Sequence, residues 1–330
     1  MSTTDNEMSA LLFTEPGPSD VLHVVRIPRP EPAAGQVRVR VTVSGVNPSD
    51  WKSRAKGVHK IAEGGQIPHH DGVGTIDAVG EGVSEERIGE RVWLHHAAWQ
   101  RKWGTSAQWS VVPAENAVPL PEGVPDDVGA GLGVPAITAH RLLGDIAALK
   151  GASVLVRGFG AVGFAATHLA RWAGANVVVT TADPEKQKAA QKAGASVVID
   201  RTAPDALEQL KAALPDGAQT IVEVSLGAHL AEDVAVLTQG GRIGVYGMEG
   251  PKLTELPGMP LINKNARIEF VMMYLLPPDA IAAASRDITS ALEQGYLRGR
   301  PTLHFSLEDG GKAHDAGSAG EQAKILIDIP

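Results

Sequence analysis

The chain has 330 residues, room for about two domains with real cores and too many for a minimal binding module. Apolar residues at 43% and charged residues at 21% sit near globular averages, with Gly and Pro spread out, which excludes a wholly disordered, collagenous or coiled-coil chain. Thirty Lys and Arg against 38 Asp and Glu leave a net charge of -8, which opposes non-specific attraction to nucleic acid or anionic lipid. There is no cysteine, so disulfides, thiolate nucleophiles, Cys zinc sites and iron–sulfur clusters are excluded as well.

The start, MSTTDNEMS, has neither the basic opening nor the apolar core of a signal peptide. No stretch reaches the ~18 apolar residues of a membrane span, so a cytoplasmic location is the default expectation. Residues 8–112 read as short strands broken by turns, at 10–13, 21–25, the period-two run 37–43, then 74–78, 91–95 and 107–112. A Pro-rich segment over 112–125 then marks a domain boundary, placed at 126/127.

From there the pattern changes to strand alternating with helix, with the continuous apolar runs of buried parallel strands. Strands are predicted at 153–156, 176–180, 196–199, 220–224, 241–246 and 267–272, the makings of a doubly wound parallel six-stranded sheet in an α/β protein. A helix over 279–295 and two short strands follow. The C-terminal stretch is expected to rejoin the first domain, giving 1–126 with 274–330 as one domain and 127–273 as the other.

The strand over 153–156 runs into Gly158-Phe159-Gly160-Ala161-Val162-Gly163, a G-x-G-x-x-G turn that opens a helix. Gly158 suits the tight turn, Gly160 lets backbone approach a pyrophosphate, and Gly163 allows close helix packing. Free N–H groups at the helix start, Ala161 and Val162 among them, then face the phosphates. Dinucleotide binding is the expectation. The end of the next strand would meet the adenosine ribose, and it carries Thr180 and Thr181 rather than an acid. Asp183-Pro184-Glu185-Lys186 reads as a helix N-cap with Pro at the first helical position, not as a ribose-binding carboxylate. With no carboxylate to repel it, a 2′-phosphate could rest on the Thr hydroxyls and on Lys186 or Arg201, so NADPH is the expected cofactor. The alternative for both cations is an ordinary solvated surface charge.

Several ordered segments resemble the medium-chain dehydrogenase/reductase superfamily, and within it the zinc-free NADPH:quinone oxidoreductase (zeta-crystallin-like) branch. They are Ser44-Gly45-Val46-Asn47-Pro48-Ser49-Asp50, Pro68-His69-His70-Asp71-Gly72-Val73-Gly74, Val79-Gly80-Glu81-Gly82-Val83, Gly89-Glu90-Arg91-Val92, Gly104-Thr105, Leu120-Pro121, Ile137-Thr138-Ala139, the glycine loop and Lys192-Ala193-Gly194-Ala195. The resemblance spans nearly the whole chain. It implies a GroES-like β-barrel catalytic domain, a Rossmann domain inserted before the last elements, an active site in the cleft between them, and a homodimer, with 267–272 as the candidate edge strand.

The resemblance also bears on metal. Zinc-dependent relatives hold their catalytic ion with a Cys where this chain has Asn47, a His where it has His70, and a Cys near Val134. Only the His is present here. A substitute site from His69-His70, His95-His96 and Asp71 is weakened because neighbours on a strand face opposite ways, so no metal is expected. Without a Lewis acid, an acceptor that spreads charge by conjugation, a quinone or an α,β-unsaturated carbonyl, is the better substrate.

Asn47 is the leading donor to the acceptor oxygen or a ribose hydroxyl, or else an Asn-Pro turn residue. Asp50 would orient a neighbour or cap the following turn. Family members often carry Tyr where this chain has Trp51, which leaves His70 and His95 as acid candidates. Trp51, Trp99 and Trp103, on predicted loops, and Tyr274 are candidate pocket walls, whereas Trp93 and Trp109 read better as core. The resemblance places Thr138, Tyr246, Gly247 and Asn263 at the nicotinamide end. The leading expectation is an NADPH-dependent, metal-free reductase of quinones or related conjugated carbonyls. An enone or enoyl reductase in biosynthetic tailoring and a non-catalytic NADPH-binding protein stand as alternatives.

Overall fold

The computed structural model describes residues 6–57 and 60–330, so the polar start at residues 1–5 lies outside the described residues. The chain forms two units, one running up to Val134 and resuming over Gly299–Pro330, the other Pro135–Arg298. Both boundaries fall later than the sequence suggested. At the second, the cause is the helix over Pro278–Glu293, which buries Ala284, Ile288, Ala291 and Leu292. His140 meets its Asp287 at 2.7 Å, and Trp172 donates to Gln294 at 3.1 Å, which ties that helix to the second unit.

The first unit begins with β1 (Glu7–Leu12), β2 (His23–Pro28), β3 (Gln36–Gly45), α1 (Pro48–Lys56), β4 (Asp71–Val79), β5 (Arg91–Leu94), β6 (Trp109–Pro113), β7 (Ala117–Pro119) and the single turn α2 (Asp126–Gly129). Strand β7 lies inside the Pro-rich segment, where no strand was expected; Pro119 ends it. The long β3 pairs with β4 on one side. On its other side, Gln36–Arg40 pair with β6, and the last residues pair with a C-terminal strand. Its alternation delivers Val37, Val39 and Val41 to a core shared with Ile76, Val92 and Val112.

The second unit holds α3 (Gly133–Leu143, which opens at the boundary), β8 (Ser153–Arg157), α4 (Ala161–Trp172), β9 (Asn176–Thr180), α5 (Pro184–Lys192), β10 (Val197–Ile199), α6 (Ala206–Ala213), β11 (Ala218–Glu223), α7 (Leu226–Val236), β12 (Leu237–Val245), α8 (Gly258–Lys264), β13 (Arg267–Phe270) and α9 (Pro278–Glu293). Its six strands are all parallel, in the order β10-β9-β8-β11-β12-β13. The order reverses between β8 and β11, the point where doubly wound sheets bind ligands beyond their carboxyl ends. Val154, Leu155 and Val156 of β8 and Val177, Val178 and Val179 of β9 are all fully buried, which explains the unbroken apolar runs.

The chain then returns to the first unit through β14 (Thr302–Ser306), α10 (Gly310–Ser318) and β15 (Lys324–Asp328). β15 pairs antiparallel with β3 and parallel with β14, completing a seven-stranded sheet beside the β1-β2 ribbon. Among the described residues no helix is long and apolar enough to cross a membrane.

Candidate active site

Each glycine of the loop after β8 has its own geometry. Gly158 has φ 82°, the left-handed turn that L side chains avoid. A Cβ on Gly163 would collide with the Gly158 carbonyl, so α4 packs against the loop at backbone distance. At Gly160 a Cβ would meet nothing within 4 Å, so this backbone faces open space. Gly160 is also the N-cap of α4, with no side-chain cap and no acid in the first turn, which Ala161 and Val162 open. An uncapped helix start beside exposed backbone suits a pyrophosphate, so these residues fit a dinucleotide.

The neighbouring strand ends carry the other nucleotide candidates. Asp183 caps α5, its Oδ1 accepting from Glu185 N at 2.9 Å and Lys186 N at 3.2 Å, as its spacing predicted. Thr180 Oγ1 is sealed from solvent, whereas Thr181 Oγ1 accepts from Asp183 N. Lys186 is half-buried, Arg201 is exposed, and neither forms an ion pair among the described residues. Tyr246 and Gly247 leave the carboxyl end of β12, and Thr138 is buried on α3. Asn263 departs from expectation. It sits on α8 next to Lys264, whose Nζ donates to Leu237 O at 2.6 Å, the first residue of β12. That is the amino edge of the sheet, opposite the glycine loop, because the segment after β12 has already run back to start β13. Tyr274 is buried in a one-turn helix of this unit over Met273–Leu275.

Sequence reasoning passed over the charge beneath the loop. Arg157, the last residue of β8, is 1% exposed; its guanidinium lies 2.8 Å from Asp233 and 3.1 Å from Glu232. Glu223, closing β11, accepts from His229 at 3.0 Å. Burial pushes the Asp233 carboxyl well up. A charged side chain inside an apolar strand was the available signal.

In the first unit a second polar cluster forms where α1 starts. The Asn47 carboxamide is committed at both ends: Nδ2 donates to Asp71 Oδ2 at 2.7 Å, and Oδ1 accepts from Lys324 Nζ at 3.0 Å. One amide hydrogen remains for a ligand, so Asn47 is more a positioning residue than the free donor expected. Lys324, 5% exposed, also donates to Val46 O at 2.9 Å. Asp50 accepts from Asn47 N at 2.7 Å, closing the capping box of α1, and lies 3.7 Å from His70 Nε2.

Two carboxyls and one ammonium share this dry space. Burial pushes Asp50 up to about 8 and Asp71 up to about 6, while burial lowers Lys324. Asp71 also accepts from Val134 N at 2.9 Å, so it holds its charge more readily than Asp50. Near neutrality the shared proton therefore sits on Asp50, and Asp71 pairs electrostatically with Lys324.

A cavity of about 700 Å³ opens beside this cluster, lined in part by Asp50, Ser53, Arg54, His69, His70 and Trp99. Behind it runs a buried hydrogen-bonded chain whose direction chemistry dictates. Arg54 Nε only donates, to His314 Nδ1 at 3.3 Å. Neutral His314 then donates through Nε2 to His69 Nε2 at 2.8 Å, and the single His69 Nδ1 hydrogen is shared between Ser106 Oγ at 2.5 Å and Ser44 Oγ at 2.9 Å. Ser44 passes to Thr105 at 2.7 Å, which donates to Asp71 O at 2.6 Å. Burial lowers His314 to about 3 and His69 well below its usual value, which keeps both rings neutral.

The remaining candidates divide. His70 and Trp99 line the cavity. Trp103 is half-buried and packs with Trp109 against the core residues Met8, Ala10 and Ile67 rather than lining the cavity. Trp51 packs on the barrel-side core and α10. His95 is fully buried, its Nδ1 is 2.8 Å from His96 Nδ1, and burial lowers it to about 3, which removes it as an acid. β5 ends at Leu94, so the two imidazoles meet, contrary to the strand alternation assumed for them.

Residues 33–122 match the alcohol dehydrogenase GroES-like domain, and residues 161–290 match the zinc-binding dehydrogenase family. Along its length the chain is similar to quinone oxidoreductase of Lama guanicoe, at 29% identity over 335 residues covering 99% of each protein. The chain belongs to the medium-chain dehydrogenase/reductase superfamily, in its quinone oxidoreductase branch. As folds, this dehydrogenase/reductase resembles a mycobacterial protein solved with NADPH, with TM-score 0.80, 23% identity, and 97% of this chain and 99% of that one covered. It likewise resembles CurK enoyl reductase, with TM-score 0.82, 23% identity, and 99% and 100% covered.

Zinc is the metal this superfamily raises, and the donor set here does not fit it. Where a ligand would stand, Asn47 is engaged by Asp71 and Lys324, and Val134 offers only a backbone N–H, to Asp71. Among the described residues no group of three or more His, Asp or Glu is gathered for a metal ion. No step of this dehydrogenase/reductase is therefore derived through zinc.

Proposed function

We propose that this NAD(P)H-dependent reductase uses NADPH to reduce quinones or similar conjugated carbonyls without a metal. The observation that carries the cofactor reading is the Gly160 cradle at the uncapped start of α4, at the switch point of the sheet. Support for the 2′-phosphate comes from β9, which ends without a carboxylate free to repel it, since Asp183 is committed to capping α5. Thr181, Lys186 and Arg201 are the proposed phosphate contacts; Thr138, Tyr246 and Gly247 are proposed for the nicotinamide end.

When bound, the cofactor supplies a hydride from its nicotinamide ring. The acceptor then needs a proton, because hydride addition leaves negative charge on its oxygen. The Asp50 carboxyl holds one near neutrality, 3.7 Å from His70 Nε2, and both groups line the cavity. Asn47 and Lys324 fix the pair: Asp50 accepts from the Asn47 backbone, and the ammonium steadies the Asn47 amide. Asp50 and His70 are the proposed proton-delivering groups.

NADPH oxidation followed at 340 nm with a benzoquinone or naphthoquinone tests this reading; absence of turnover with bound cofactor would favour the non-catalytic alternative. The enone or enoyl reading has one specific support, since the same Asp50–His70 pair could deliver a proton to an α-carbon. Faster turnover of enones or enoyl thioesters than of quinones would select it. We also propose a homodimer through β13, an edge strand that ends on exposed Phe270 and is followed by exposed Met272 and Leu275. Light scattering showing a monomer would overturn that assignment.

A further inference from the structure

The cavity in the first unit is more cationic than a neutral quinone requires. Its wall includes Arg54, Lys60, Arg101 and Lys102 against Glu63 and Asp50. Asp50 is uncharged near neutrality, because burial pushes it up to about 8. Two of the cations are guanidiniums whose hydrogen bonds go to neutral partners, with carboxylates acting on them only from beyond ion-pair distance: Asp315 and Asp20 on Arg54, Glu115 on Arg101. Arg54, 4% exposed, donates to His314 Nδ1 and, at 2.6 Å, to Gly17 O. Arg101 donates to His96 O at 2.8 Å and Ala97 O at 3.4 Å. Neither makes an ion pair with a described residue, although burial lowers both. Removing a cation from water without a directly paired counter-ion is costly, and two such cations around one void make it complementary to an anion.

The backbone supplies an independent observation. Four described non-glycine residues have positive φ, and three belong to this wall or its support: His69 at 77°, His96 at 54° and Gln100 at 55°. The first bonds the imidazole that receives Arg54, and the other two bracket the turn that holds Arg101. Left-handed backbone at non-glycine residues costs of order 1–3 kcal/mol each and persists where the surroundings enforce it, commonly at ligand sites.

We infer that the acceptor is a conjugated carbonyl carrying an anionic group, such as a carboxylate, sulfonate or ionised ring hydroxyl, seated against Arg54 and Arg101 with Lys102 beside them. The inference rests on the reductase reading above and adds the substrate class. The balance of the reaction is unchanged: the carbonyl takes the hydride and one proton, the nicotinamide is oxidised, and the anionic group passes through unaltered. Trp99 and Phe13 supply flat apolar wall for the conjugated part.

The test compares 1,4-naphthoquinone with its 2-sulfonate, at saturating NADPH, in low and high salt, for the wild type and Arg101→Gln. The sulfonate should show at least a tenfold higher kcat/KM at low salt. That advantage should shrink with salt and in the variant, through KM rather than kcat. A ratio that ignores both salt and the substitution overturns the inference while leaving the reductase reading intact. Failure of both quinones to oxidise NADPH overturns the reading itself and this inference with it. Should the variant misfold, the salt series on the wild type decides alone. Crotonyl-CoA, whose phosphates lie far from its conjugated carbonyl, gives the source: salt- and Arg101-dependent preference for it over the sulfonate would assign the anion to a thioester carrier.

Discussion

Replacing Lys324 by Met removes a buried ammonium while keeping chain length and most of the volume. Lys324 Nζ donates to Val46 O at 2.9 Å and Asn47 Oδ1 at 3.0 Å, and its charge is the foremost influence opposing burial at Asp71. Two charge-assisted bonds at ~1.5–3 kcal/mol each, less the relief of desolvating the ammonium, give a loss of about 3–5 kcal/mol, as for other broken buried pairs. The pH dependence follows from Asp71. Its folded pKa is raised to about 6, so its proton-linked contribution is complete below the ordinary carboxylate range and is lost as pH rises through about 6. Without the ammonium that loss continues to higher pH. Over the stretch from pH 6 to 7.5, roughly 1.5 pH units, only the variant goes on losing, which amounts to about 2 kcal/mol. Urea unfolding followed by tryptophan fluorescence should show a deficit about 2 kcal/mol smaller at pH 5 than at pH 7.5. A deficit under about 1 kcal/mol at both pH values would refute the charge assignment.

The other expectations are separable. Gly160→Ala should keep the wild-type Tm, since its φ of -83° suits any residue and its Cβ meets nothing, yet weaken NADPH binding at least tenfold in calorimetry; Gly163→Ala, driven into the Gly158 carbonyl, should also lower the Tm, through an overpacking cost of about 1–3 kcal/mol in folding stability. Asp50, raised to about 8, contributes stability that is complete below about pH 4 and lost as pH rises through 8; Asp50→Asn should flatten the fall in Tm between pH 6 and 8.5, and an unchanged slope would show that Asp50 is ionised. His69 and His314 are depressed, so their contribution is complete above about pH 6.5 and lost as pH falls toward 3; thermal scans from pH 7 to 4 should show a steep decline that His314→Phe reduces. Lys186→Glu with Arg201→Glu should cut the kcat/KM preference for NADPH over NADH by at least tenfold, and equal preference in both proteins would remove these residues from the phosphate site.

What the sequence made legible was local in period or in backbone demand. Buried parallel strands such as Val154–Val156 announce themselves as unbroken apolar runs, and Asp183-Pro184 announces a helix start. Gly158 and Gly163 report a turn and a close approach because only glycine meets those demands. The first-unit cluster was only half legible. Asp50 and His70 stood inside a recognisable segment, but Lys324 and His314 reach it across more than 240 residues of sequence separation, and nothing local marks them. Asn263 failed for a similar reason. Its neighbourhood on α8 fits many positions, and only the contact of Lys264 with the start of β12 fixes it at the amino edge. Trp103 and His95 failed because residue type and predicted element do not reveal which neighbours a side chain packs against, which tertiary structure decides.

The most direct test of the account is calorimetric titration of the purified protein with NADPH and, separately, NADH, repeated with Gly160→Ala. Saturable one-site binding of NADPH, tighter than NADH and weakened by the added methyl at unchanged Tm, is the expected result. No binding up to millimolar NADPH, or equal binding in the alanine variant, would contradict the claim that the glycine loop holds the reduced nucleotide.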